Sequence, residues 1–149
     1  AESQARHRKY LQASKKSGIK VVLGEFKKKY IYPCSDCKQK SSQEMILKHE
    51  EKHTDVNVAI TLLEKAMTNE FDRAYLLSED NDYVPVVKRV KELYPTKEII
   101  ICPPPQTNYH VHSLLTASGE NDFFRLRWKI IKHFQFPDEY NGLINPWKM

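Results

Sequence analysis

No apolar run in the 149-residue chain approaches the length of a membrane-spanning helix, and the opening residues, Ala1-Glu2-Ser3-Gln4, lack the features of a secretory signal. No membrane partner is expected. Cysteine is scarce as well. Three residues, one of them isolated, cannot build a disulfide framework, which makes a reducing cytoplasm the expected compartment. There is no internal repeat and no long low-complexity segment, so residues 1–149 are expected to form a single domain. What remains is ordinary globular material, with 40% hydrophobic and 29% charged residues. The formal net charge of +5 leans toward a polyanionic partner.

Hydrophobic patterning divides the chain into alternating helices and short strands. Residues 3–16 are polar and helix-friendly, and Ser17-Gly18 is a helix stop. Residues 19–24, rich in β-branched side chains, read as a strand. Residues 25–43 look like a basic, irregular excursion, and residues 25–49 a Cys-x-x-Cys loop inside the domain. A helix is expected over residues 54–68, with Thr54 as N-cap, Asp55 in its first turn, and an apolar stripe of Val56, Ala59, Ile60, Leu63, Ala66 and Met67. Residues 97–102 read as another strand. A short helix is expected over residues 110–117, and a longer one from Asn121-Asp122 carrying Phe123, Leu126, Ile130, Ile131 and Phe134. Such alternation predicts an α/β fold with a largely parallel sheet and helices on both faces.

The densest chemistry lies in residues 73–85. An apolar run, Ala74 to Leu77, is short enough for a buried strand, and Tyr83, Val86, Val87, Val90, Leu93 and Tyr94 then recur at helical spacing. Pro85 suits the first turn, where a missing N–H costs nothing. Between strand and helix stand Glu79, Asp80 and Asp82, which repel one another unless a cation lies among them; Mg²⁺ and similar hard ions favour carboxylate oxygens. The plainer reading makes Asp82 a helix cap and Asp80 a turn residue. In a parallel sheet, however, Asp55, Asp80, Asp82 and Asp122 can all reach one edge. A shared Mg²⁺ or Mn²⁺ there would activate water for attack on a phosphodiester.

Two stretches carry a family resemblance. Glu50-Glu51-Lys52-His53-Thr54-Asp55-Val56-Asn57-Val58-Ala59, followed by Leu76-Leu77-Ser78-Glu79-Asp80-Asn81-Asp82-Tyr83-Val84-Pro85, resembles the NYN domain of the PIN-like metal-dependent ribonuclease superfamily. The resemblance implies a three-layer α/β/α, Rossmann-like domain that cleaves RNA, endonuclease-fashion, with Mg²⁺ or Mn²⁺. It implies that Asp55 is the helix-borne acid and Asp80 and Asp82 the strand-end pair. Ser78 would orient a ligand or water, and Asn57 would support the cluster. Glu51 and Lys52 would lie in or just behind the ligand set, with Asp122 a peripheral acid. The family also opens with a strand ending in Asp. Nothing before Ala1 supplies one, so the domain is expected to lack its first strand.

Three further patterns carry alternatives. Cys34, Cys37, His49 and His53 spell C-x₂-C and H-x₃-H, close to a zinc-finger spacing, and the histidines share a face if residues 49–53 are helical; a redox or merely structural cysteine pair is the other reading. Lys27, Lys28 and Lys29 with Tyr30 and Tyr32, then Lys38, Lys40 and Lys52, could track single-stranded RNA, or simply form a solvated loop. Asp80-Asn81-Asp82-Tyr83-Val84 also fits the nucleophile motif of haloacid-dehalogenase-type phosphatases, although that motif belongs near a chain start. A catalytically weak RNA-binding module on the same fold is the remaining alternative. Cys102, at a strand end, reads as a small core residue.

Overall fold

The computed structural model describes residues 2–32, 45–105, 112–119 and 123–145. The first helix, α1 (Glu2–Lys16), ends where the sequence says it should. Gly18 takes a left-handed φ of 83°, which lets the Ile19 N–H reach the Ser14 carbonyl at 3.0 Å. Residues 19–24, expected as a strand, pair with no strand among the described residues, and Ile19, Val22 and Leu23 are exposed. A β-branched run supplies the propensity for a strand, but pairing has to come from a neighbour.

The start of the basic excursion is regular strand. Residues expected to be irregular form β1 (Glu25–Ile31), which pairs antiparallel with β2 (Ile46–Lys52). Phe26, Tyr30 and Ile31 favour a pleated backbone, and opposite charges face each other at Glu25 with Lys52 and Lys27 with Glu50. Almost every residue of this ribbon is exposed, so cross-strand pairs rather than a buried face hold it.

Helix α2 (Thr54–Met67) follows directly, then β3 (Arg73–Leu76) and a 3-10 turn (Asn81–Tyr83) that feeds α3 (Val84–Leu93). The chain then enters β4 (Glu98–Ile101), which pairs parallel with β3 from Arg73 opposite Glu98 to Leu76 opposite Ile101. This is one βαβ unit, and hydrogen bonds from Glu98 N to Asp72 O (2.9 Å) and from Cys102 N to Leu76 O (2.8 Å) extend its ladder. On the far side of β4, Phe123 makes a parallel bridge with Ile101. That bridge overturns the helix expected from Asn121-Asp122: sheet pairing holds Phe123 extended, the Phe124 N–H donates to Ile101 O at 2.9 Å, and helix starts only at α5 (Trp128–His133). Between β4 and Phe123 stands α4 (His112–Ser118), and the tail closes with a small hairpin, β5 (Glu139–Tyr140) and β6 (Leu143–Ile144). The described pairing therefore comprises one parallel pair and two antiparallel pairs, and the α/β character rests on the β3–α3–β4 unit.

The core sits around β4. Ile99 and Ile101 are fully buried against Val87 and Val90 of α3, Leu114 of α4, Ala66 of α2 and Leu76 of β3. Each Val, Leu or Ile side chain among these contributes about 1.5–3 kcal/mol on leaving water. The apolar stripe read for α2 is split by this packing. Val58, Leu62 and Leu63 lean on the core with Ala66, whereas Val56, Ile60 and Met67 are exposed. Among the described residues one charge is buried. Lys97, 6% exposed, donates from Nζ to Asn69 Oδ1 and to Phe71 O. Cys102 is a buried free thiol whose pKa burial raises, in keeping with a core residue.

Candidate active site

The carboxylates expected at one edge come from the start of α2 and from the turn after β3. Tyr83 touches Asp55 and feels the charge of Asp80. The ring of Tyr83, 6% exposed, is anchored in the core at the head of α3. Its hydroxyl reaches back and donates to Asp55 Oδ1 at 2.7 Å. Burial, then the Asp55 hydrogen bond and charge, then the charges of Asp80 and Glu51 hold the phenol well above its ordinary pKa. Glu51 of β2, Asp55 of α2 and Asp80 of the turn after β3 thus bear on one phenol, and all three face solvent. Sequence reading took Tyr83 for a core residue only. Its place at the head of an amphipathic helix hid the polar end of the ring.

The turn is built from its own side chains. Ser78 Oγ accepts the Asp80 N–H at 3.0 Å, and Asp80 Oδ1 accepts the Asp82 N–H at 2.9 Å. Capping of the 3-10 turn therefore falls to Asp80, not to Asp82, and the Asp82 side chain is left in solvent. Ser78 shapes the loop that presents Asp80. On the α2 side the cap also differs from expectation. Thr54 is the first helical residue, and His53 before it takes a left-handed φ of 77° with no capping side chain. The orphan donors go to Glu51 instead, whose Oε1 accepts the Thr54 N–H at 3.2 Å and the Thr54 hydroxyl. Gly24 makes room for this: a Cβ there would stand 2.5 Å from Thr54 Oγ1 and 2.6 Å from Lys52 O, and closer still to Glu51 Oε1.

Other expected site residues are placed elsewhere. Asn57 does not contact the acids; its Nδ2 donates to Leu23 O at 3.4 Å, tying residues 19–24 to α2. Lys52 pairs with Glu50 at 3.0 Å, and Lys29 reaches the same carboxylate at 3.6 Å. These two lysines hold Glu50 below the usual carboxylate range, the Lys52 hydrogen bond most. Asp122, Cys34, Cys37, Lys38 and Lys40 lie outside the described residues. The helical premise of the zinc reading is overturned: His49 lies in β2, and His53 sits at the bend into α2, with Nδ1 3.9 Å from Glu25 Oε2. Among the described residues no three Asp, Glu, His or Cys side chains are grouped to hold a metal.

A cavity of about 970 Å³ lies between α1 and the tail, lined by Tyr10, Ile131, Phe136 and Tyr140 and by none of the acids. A smaller one, about 400 Å³, borders α2 at Thr54 and Asn57 and β3 at Ala74 and Leu76. Asp55, Asp80 and Asp82 line neither cavity and face solvent.

Comparison of the chain with known families finds the NYN domain over residues 1–119. Comparisons with curated proteins and with solved structures give no match. Among the described residues no helix is long and apolar enough to cross a membrane.

Proposed function

Because the chain belongs to the NYN domain family, whose members are generally metal-dependent ribonucleases, we propose that it hydrolyses phosphodiester bonds of single-stranded RNA at the edge formed by Asp55, Asp80 and Asp82. The observation that carries this reading is the Tyr83 hydroxyl, which donates to Asp55 and feels the charge of Asp80, two solvent-facing acids 25 residues apart in sequence. The whole domain would be a PIN-like three-layer α/β/α arrangement, with the β3–α3–β4 unit carrying the site.

The donor set suits Mg²⁺ or Mn²⁺. Both ions favour carboxylate oxygen, and Mg²⁺ is commonly held by one or two carboxylates with water and substrate phosphate filling the shell. Asp55 and Asp80 would be those ligands, each engaged at one oxygen by Tyr83 or by the Asp82 N–H, with Asp82 joining from the same turn. The bound ion would offset phosphate charge and lower the pKa of a water. Tyr83 fixes the Asp55 rotamer, Ser78 and the Asp82 N–H fix Asp80, and Glu51 secures the first turn of α2. Of Lys27, Lys28, Lys29 and Lys52, the lysines expected to hold RNA phosphates, Lys28 would be the one to do so on the ribbon, since Lys29 and Lys52 share Glu50 and Lys27 stands opposite it. The buried free thiol of Cys102 suits a reducing compartment such as the cytoplasm.

Asp80→Asn and Asp82→Asn are the test. Each should abolish metal-dependent cleavage of single-stranded RNA while circular dichroism and thermal unfolding stay near wild type. Cleavage retained in both would end the proposal. A second reading, an RNA-binding module with weak metal affinity, draws support from the absence of a three-donor group among the described residues. Calorimetry decides between them: tight Mn²⁺ binding that Asp80→Asn removes favours the nuclease.

A further inference from the structure

We propose that the β1–β2 ribbon is a base-stacking platform: successive bases of single-stranded RNA lie on Phe26 and Tyr30, with the Lys28 ammonium between them on the phosphate backbone. The proposal rests on the ribonuclease reading above and names how that site receives its strand.

Strand pairing separates residues that sequence order runs together. In a strand, side chains alternate between faces, so Phe26, Lys28 and Tyr30 share one face with their cross-strand partners Glu51, His49 and Leu47. Lys27, Lys29 and Ile31 share the other with Glu50, Lys48 and Ile46. The two faces differ in chemistry. On the second, Glu50 already takes the charges of Lys29 and Lys52. On the first, two large rings stand in water, Phe26 71% and Tyr30 63% exposed, with no aromatic partner among the described residues. Lys28 between them has no acidic partner among the described residues, and the only carboxylate on that face, Glu51, is turned to the start of α2.

Two rings at positions i and i+2 of a strand lie about 7 Å apart. Neighbouring bases of an extended strand can therefore each meet one ring, which every base does through its π face. The ribbon also points somewhere. Phe26 sits opposite Glu51, whose carboxylate accepts the Thr54 N–H and hydroxyl at the start of α2, where Asp55 stands and meets Tyr83. A strand lying on the ribbon leaves it, at the Phe26 end, beside the acids. The chain's net charge of +5 draws a polyanion to such a surface.

The test is binding of a fluorescently labelled oligouridylate, read by anisotropy in EDTA so that no cleavage intervenes. Phe26→Leu and Tyr30→Leu keep an apolar, strand-compatible residue at an exposed position; each should weaken binding by about 5- to 150-fold. Lys28→Gln should weaken binding and flatten its salt dependence by about 0.7 in log–log slope. Lys48→Gln, the same loss of charge on the opposite face, should change little. An oligomer of equal phosphate number with abasic positions should bind wild type as weakly as uridylate binds the ring variants. Wild-type affinity in both ring variants, or equal affinity for the abasic oligomer, overturns the platform. So does a ribbon that pairs two copies of the chain, seen as a concentration-dependent mass that Phe26→Leu abolishes while RNA binding persists. If the ring variants bind normally and Asp80→Asn still abolishes cleavage, only the platform falls; if wild type neither binds nor cleaves RNA, the ribonuclease reading falls with it.

Discussion

Replacing Tyr83 with Phe removes one atom and tests the joint on which the site depends. The ring packs in the core and stays there, so the change isolates the hydroxyl that donates to Asp55 Oδ1 at 2.7 Å. A hydrogen bond to a charged acceptor is worth about 1.5–3 kcal/mol. Asp55 faces solvent, so water partly replaces the lost donor and the lower end applies: about 1.5 kcal/mol, or roughly 3–6 °C in Tm for a chain of this size. The pH dependence supplies a second, sharper readout. Burial and the neighbouring carboxylates raise the phenol's pKa, so the folded state holds this proton more tightly than the unfolded chain does. The contribution is complete below the unfolded tyrosine value of about 10 and is lost as pH rises toward the folded value. Wild type should therefore lose stability above pH about 10 more steeply than Tyr83→Phe, the other tyrosines cancelling in the difference. Urea unfolding of both proteins between neutral and alkaline pH measures this. Equal midpoints and equal alkaline slopes would refute the claim that the hydroxyl binds the start of α2 to the acidic turn.

Gly24→Ala should destabilise by about 1–3 kcal/mol, because the new methyl meets the Lys52 carbonyl, which cannot move as a side-chain end can; the urea midpoint should fall with an unchanged m-value. Lys97→Met strips the donor from the half-buried Phe71 carbonyl, costing about 1–3 kcal/mol, while exposed Asn69 turns to water, and chemical denaturation should show it. Cys102, 2% exposed and with its pKa raised by burial, should react with a thiol reagent only as the protein unfolds, in a background where Cys34 and Cys37 are Ser.

Local patterning determined much of this protein. The period of Val87 and Val90 announced α3, the run from Ala74 to Leu77 announced β3 to within a residue, and Ser17-Gly18 marked the end of α1, because each signal is a property of neighbours in the chain. The strand–turn–helix around Asp80 and the helix start at Asp55 were legible for the same reason, and so was the family. Partners distant in sequence were not. Whether residues 25–31 form a strand depends on residues 46–52 lying opposite, and whether Phe123 starts a helix depends on Ile101 taking it into the sheet. Which acid caps the turn, which ring faces water and which hydroxyl holds Asp55 follow from contacts that close only when the core assembles. Propensity and period are carried by a few consecutive residues. The juxtaposition of Asp55, Tyr83 and Asp80 is carried by the packing of α2 and α3 around the β3–β4 pair, and only the tertiary structure could decide it.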